Sequence, residues 1–342
     1  MSLDSFIHAM PKAELHVHLE GSIQPGTLLE LARRNGVSLP AQDEPSLRAL
    51  YQFRDFARFV EVYTLIQRCL RTAEDWALIT RRLGDDLARQ HVLYAEVTWT
   101  PSMTVHSGLP FSEALRGVEE GRAAVRTEHG IEMRWLPDAA RDLGLAEALK
   151  TADWLLSAPG HGILALGLGG SEDLYPPEGF VEPFARAKAG GLRSYPHAGE
   201  LLGPPSIWTA LRLLKADRIG HGVRAGEDPE LLAFLRERRI ALDVCPTSNV
   251  CLHVYADYAH HPLRRLFDAG LVVTLNSDDP PLFNTDLENE YRLAVSEFGF
   301  SAEELCILSL NAVDASFLDP VNKSRLRRTF EDDLERAKRL HL

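Results

Sequence analysis

Ala13-Glu14-Leu15-His16-Val17-His18-Leu19-Glu20-Gly21-Ser22 sets two histidines at i and i+2 inside a short apolar run. Side chains alternate across a β-strand, so a strand over residues 14–19 projects His16 and His18 from one face. Two imidazoles on one face begin a metal site, since neutral imidazole suits zinc, iron, nickel and copper. A bare His-x-His recurs by chance. The pair gains meaning from the rest of the chain, where further ligand-type residues stand at the ends of other strand-like runs.

Seven more short apolar runs follow, at residues 92–98, 131–136, 163–168, 192–196, 217–220, 240–245 and 271–275. Between them lie amphipathic helical stretches, among them 111–128, 182–189, 206–214 and 229–238. Pro229 follows Glu227-Asp228 in a helix first turn, where its missing N–H costs nothing and acidic groups suit the dipole. Gly190-Gly191 and Gly270 stand where a helix stops before the next strand. Strands alternating with helices imply parallel β/α units, and eight of them predict a closed (β/α)₈ TIM barrel in the α/β class. The segment 25–90 is too long for one crossover and reads as several helices inserted after the first strand. Its Phe53, Phe56, Phe59, Val60 and Tyr63 suit ordinary packing or a lid that excludes water from the barrel mouth. Residues 301–342 add helices outside the barrel, and one domain over 1–342 is expected.

Composition narrows the partners. Hydrophobic content of 45% is ample for a large core, and a formal net charge of −12 argues against nucleic acid or an anionic membrane. Cys69, Cys245, Cys251 and Cys306 lack the spacing of a zinc knuckle or a disulfide framework and read as free thiols. The amino terminus has no basic segment followed by a long apolar one, and no run reaches membrane-spanning length. A cytoplasmic protein with a small-molecule substrate is expected.

Barrel active sites lie at the carboxyl ends of the strands. Those ends carry His16 and His18, Gly169-Gly170, His197 with Glu200, His221, the run Cys245-Pro246-Thr247-Ser248-Asn249, and Asn276-Ser277-Asp278-Asp279-Pro280. Each has a bland reading: a satisfied core histidine at 197, a turn residue at 221, a helix cap at 278 and 279. Together those readings fail, because several independent strands would each need an unrelated reason to bury polar groups at one end of the barrel.

The constellation resembles the adenosine/adenine deaminase family of the metal-dependent amidohydrolase superfamily. The motifs that carry the resemblance are His16-Val17-His18, His197-Ala198-Gly199-Glu200, Arg218-Ile219-Gly220-His221-Gly222, Cys245-Pro246-Thr247-Ser248-Asn249 and Leu275-Asn276-Ser277-Asp278-Asp279-Pro280. The resemblance implies one zinc ion per chain, held by His16, His18, His197 and Asp278, and hydrolytic release of a purine 6-amino group as ammonia. It implies that His221 orients or deprotonates the attacking water and that Glu200, kept protonated by burial, donates to N1. Asp279 then meets N7, the Gly170 backbone meets N3, and His18 and Glu20 lie at the substrate. A two-metal hydrolase would need a lysine at the end of the fourth strand, where Leu168-Gly169-Gly170 stands instead. A catalytically inactive purine-binding barrel would be expected to lack Glu200 or His221, and both are present.

Substrate features divide. Glu20 replaces the aspartate usual in adenosine deaminases and resembles the adenine deaminases. Gly220 before His221, and the segment Pro281-Leu282-Phe283-Asn284-Thr285, resemble the nucleoside enzymes. The expected substrate is therefore a 6-aminopurine nucleoside, either adenosine, 2′-deoxyadenosine or a 5′-modified analogue such as 6-aminodeoxyfutalosine. Adenine is the alternative.

Overall fold

The computed structural model describes residues 2–51, 53 and 56–342. Nine parallel strand segments form the wall: β1 Lys12–His18, β2 Val92–Thr98, β3 Glu132–Trp135, β4 Asp138–Ala140, β5 Ala165–Gly169, β6 Arg193–Ala198, β7 Ile219–His221, β8 Leu242–Val244 and β9 Val273–Leu275. Neighbours in sequence are neighbours in space, β1-β2-β3 and then β4 through β9. β3 and β4 are one stave interrupted at Leu136-Pro137. The Leu136 N–H donates to Val97 O at 2.9 Å, and Pro137 O accepts Gly167 N–H at 2.9 Å, so both neighbours hold the break in line. The sequence pattern ends this strand at residue 136, before the proline. Proline removes one ladder donor but leaves the chain extended, and the stave resumes at Asp138.

The ring closes at the quoted stretch. His18 N–H donates to Asp278 O at 2.9 Å and Asp278 N–H to His16 O at 3.0 Å, which joins β1 to the chain leaving β9. The molecule is thus a (β/α)₈ barrel of eight staves. β2 coincides with its expected span, and the other strand segments overlap theirs with ends shifted by at most two residues.

Helix α1 Leu3–Ala9 precedes the barrel, and α2 Pro25–Arg34, α3 Glu44–Leu50, α4 Phe56–Gln67 and α5 Ala73–Arg89 form the insertion after β1. The later helices include α6 Pro101–His106, α7 Phe111–His129, α8 Gly144–Leu156, α9 Val181–Ala189, α10 Pro204–Arg212, α11 Pro229–Arg238, α12 Pro246–Cys251, α13 Leu263–Asp268 and α14 Leu287–Ser296. The chain ends in α15 Ala302–Ala315 and α16 Pro320–His341. Asp228 caps α11 as its position suggests, accepting from Glu230 N–H and Leu231 N–H, with Pro229 in the first turn. α15 and α16 bury Ala312, Val313 and Phe330 against Ala13, Leu15 and Tyr94 of β1 and β2, so the tail covers the barrel wall as expected. The four cysteines are free thiols. Among the described residues no helix is long and apolar enough to cross a membrane.

Candidate active site

His16 and His18 leave β1 on one face, as the period of two requires, and both reach the same carboxylate. His16 Nε2 and His18 Nε2 each lie 3.2 Å from Asp278 Oδ1. From β6, His197 Nε2 lies 3.3 Å from His18 Nε2. His221 ends β7, with Nε2 3.9 Å from Asp278 Oδ2 and 3.7 Å from Glu200 Oε2. All of these residues are buried. His221 and Asp278 also hold left-handed backbone, φ 61° and 64°, the kind of local strain that collects at functional sites. The barrel wall thus brings together every predicted metal and catalytic residue.

The donor set fits a zinc ion. His16 Nε2 is buried without a hydrogen-bond partner, a costly state that a cation would relieve. Ligand atoms of His16, His197, His221 and Asp278 lie within 4.8 Å of one another, and His18 adjoins them through Asp278 and His197. The outer ring nitrogens are engaged elsewhere. Tyr195 OH donates to Asp243 Oδ2 at 2.8 Å and so accepts from His16 Nδ1, 2.7 Å away, leaving the Nε2 lone pair aimed inward. His197 Nδ1 lies 3.0 Å from Leu168 O, and Ser248 Oγ donates to Asp278 Oδ2 at 2.6 Å. Such outer partners fix tautomer and aim in metal sites. Beneath them Arg218 pairs with Glu96 and Asp243 at 2.7 Å each, so the carboxylate that orients Tyr195 is itself held.

Glu200 sits three residues past His197 on a loop held by one buried carboxylate. Glu172 accepts the N–H groups of Gly199 (2.7 Å), Glu200 (3.1 Å), Leu201 (2.8 Å) and Leu202 (2.9 Å), and the Ser206 hydroxyl. Burial, reinforced by Asp278, pushes the Glu200 carboxyl well above the usual carboxylate range. Burial pushes Asp279 up as well, and its Oδ1 has no hydrogen-bond partner. Gly21 makes room for that carboxylate, because a Cβ there would stand 1.6 Å from Asp279 Oδ1.

A cavity of ≈ 240 Å³ opens from this cluster and is lined by His18, His197, Glu200, His221, Asp278 and Asp279 at its inner end. α4 supplies Phe56, Phe59, Val60, Tyr63, Thr64 and Gln67, a stripe at i, i+3, i+4, i+7, i+8 and i+11. Phe59 stacks on Phe283 with ring centroids 5.6 Å apart, tying the inserted helix to the segment after β9. Gly170 lines the cavity, but Glu20 is not among its lining residues. Glu20 Oε1 accepts Thr100 N–H at 2.9 Å, and its buried Oε2 has no partner. Sequence reasoning assigned no role to Asp138, Asp142, Glu172 or Tyr195. None stands in a motif with its own signature, and each acts through a partner distant in sequence.

A parallel barrel with a buried three-histidine, one-aspartate cluster and, beside it, a carboxyl whose pKa is raised by burial defines a metal-dependent hydrolase. The adenosine deaminase family model matches residues 11–332, and the chain belongs to that family, aminohydrolases of 6-aminopurines. It is 43% identical over 329 residues to the aminodeoxyfutalosine deaminase of Streptomyces avermitilis, covering 95% of this chain and 91% of the relative. It is 38% identical over 332 residues to the adenine deaminase of Albidiferax ferrireducens, covering 97% and 95%. An amidohydrolase from Burkholderia ambifaria, solved with bound zinc, superposes with a TM-score of 0.92 at 29% identity, covering 99% and 95%.

Proposed function

We propose that this protein removes the 6-amino group of a 6-aminopurine nucleoside, with one zinc ion held by His16, His18, His197 and Asp278. The observation that carries this reading is the inward-facing, unpartnered His16 Nε2 beside Asp278, with Glu200 at the same end of the cavity. When bound, zinc supplies Lewis acidity that makes water nucleophilic at neutral pH. His221 orients the water that attacks C6: Asn249 Nδ2 donates to its Nδ1 at 3.3 Å, which leaves the Nε2 N–H facing the cavity. Glu200, whose carboxyl burial pushes well above the usual carboxylate range, donates a proton to N1 and removes the ring's resistance to attack. The unpartnered Oδ1 of Asp279 meets N7, and the Gly170 amide meets N3. The C6–N bond then breaks as one proton of the attacking water passes to the amino group, ammonia leaves, the other water proton restores Glu200, and the 6-oxo purine remains.

The nucleoside reading is supported by a cavity whose lining includes, besides the purine-binding residues, Asp142, Leu143 and the aromatic stripe of α4. Those apolar rings suit a 5′ substituent, as in the substrate named in the Streptomyces relative. Adenine is the second reading, favoured by the Albidiferax relative and by a Glu20 whose Oε1 is already taken by Thr100. Deamination of adenosine, 6-aminodeoxyfutalosine and adenine, followed by ammonia release, decides between them. Nucleoside turnover supports the proposal, and a better than about tenfold advantage for adenine in kcat/KM, roughly 1.4 kcal/mol, overturns it.

A further inference from the structure

Gly169 ends β5 and Gly170 follows it, beside the stave that carries Asp138 and the turn after it that carries Asp142. A Cβ at Gly169 would stand 2.3 Å from Asp138 Oδ2, and one at Gly170 would stand 2.1 Å from Asp142 Oδ2. The glycine pair therefore admits two carboxylates to the cavity wall, in addition to leaving the backbone open to a flat ring. Both aspartates line the cavity, Asp138 buried at 3% exposure and Asp142 exposed toward its rim. Each is anchored through one neighbour: Asp138 Oδ1 accepts Thr100 Oγ1 at 2.8 Å, and Asp142 accepts Ser171 N–H at 3.2 Å and Ser171 Oγ at 3.0 Å.

A purine presents ring acceptors to most of its surroundings, and its amino group lies at the reacting end. With Glu200 and Asp279 already assigned to N1 and N7, a further carboxyl group on the wall suits hydroxyls, which both donate and accept. We propose that Asp138, admitted by Gly169 and aimed by Thr100, recognises a sugar hydroxyl of the substrate and so sets specificity for a nucleoside over a free base. This rests on the nucleoside reading above. Asp142, nearer the rim, extends the same polar wall.

The test pairs substrate and side-chain deletions. The zinc-loaded protein and its Asp138→Ala and Asp138→Asn variants are assayed with adenosine and its 2′-, 3′- and 5′-deoxy analogues. The native protein is expected to discriminate against at least one deoxy analogue by about tenfold or more in kcat/KM, because a site built for a hydroxyl is left unpaired without it. In Asp138→Ala that ratio falls to within about twofold of unity while zinc content is unchanged, and Asp138→Asn restores part of it. Gly169→Ala, whose methyl displaces the carboxylate, should behave like Asp138→Ala. A ratio that survives in Asp138→Ala, or a native protein that treats all four nucleosides alike, overturns the inference. A native protein that deaminates adenine but none of the nucleosides overturns the nucleoside reading instead.

Discussion

Glu200 carries the sharpest prediction at the level of single residues, because it lies at the cavity's inner end and is no part of the proposed ligand set. Glu200→Gln keeps shape and hydrogen-bonding capacity but has no proton to give. It should bind zinc normally and lose at least about a hundredfold in kcat, in line with general acid catalysis. Near-native turnover would remove Glu200 from the mechanism. Tyr195 tests the aim of His16 rather than the chemistry. Tyr195→Phe deletes the acceptor 2.7 Å from His16 Nδ1 and leaves Asp243 short of a donor. Loss of such an outer partner weakens metal binding by roughly 10–100-fold. Competition with a zinc chelator measures this, and an unchanged affinity would mean that Tyr195 serves the core alone.

The loops and helices that present these residues differ in how far the sequence reveals them. The His16–His18 pair was legible because a strand's period of two fixes facing from spacing alone, and Pro229 and Asp228 marked α11 by local chemistry. β4 was hidden because Pro137 reads as a terminator, and only the neighbouring Val97 and Gly167 show that the stave continues. Asp138 went unseen with it. Glu172 has its partners 27 to 34 residues away, a distance over which no local pattern reports. Its consequence is measurable. Glu172→Ala strands four backbone N–H groups on the loop that carries Glu200, and buried unsatisfied donors cost about 1–3 kcal/mol each before relaxation. A fall in kcat of at least about tenfold is expected from misplacing the acid, alongside a lower melting temperature. A variant that loses stability but keeps kcat would confine Glu172 to folding. On α4, Phe59→Ala removes a ring that both lines the cavity and stacks on Phe283. KM for nucleosides with an apolar 5′ substituent should rise, with a smaller change for adenosine.

For the molecule as a whole, the barrel's closure and the metal site are one feature, since Asp278 both pairs with β1 through its backbone and faces His16 and His18 through its side chain. Zinc that binds only the folded chain should stabilise it by about 2.7 kcal/mol at a hundredfold excess over Kd. Chelation should therefore lower the melting temperature by several degrees and abolish turnover, with both restored by about one equivalent of zinc. Stability and turnover that both survive complete chelation would contradict a structural and catalytic metal here. The central claim, a zinc-dependent deaminase of 6-aminopurine nucleosides, is tested most directly by kcat/KM of the zinc-loaded protein for adenosine, 6-aminodeoxyfutalosine and adenine, with ammonia quantified. Stoichiometric ammonia and 6-oxo product from a nucleoside are expected, with at least one nucleoside preferred to adenine. Absence of ammonia from all three, or adenine preferred by more than about tenfold, would contradict it.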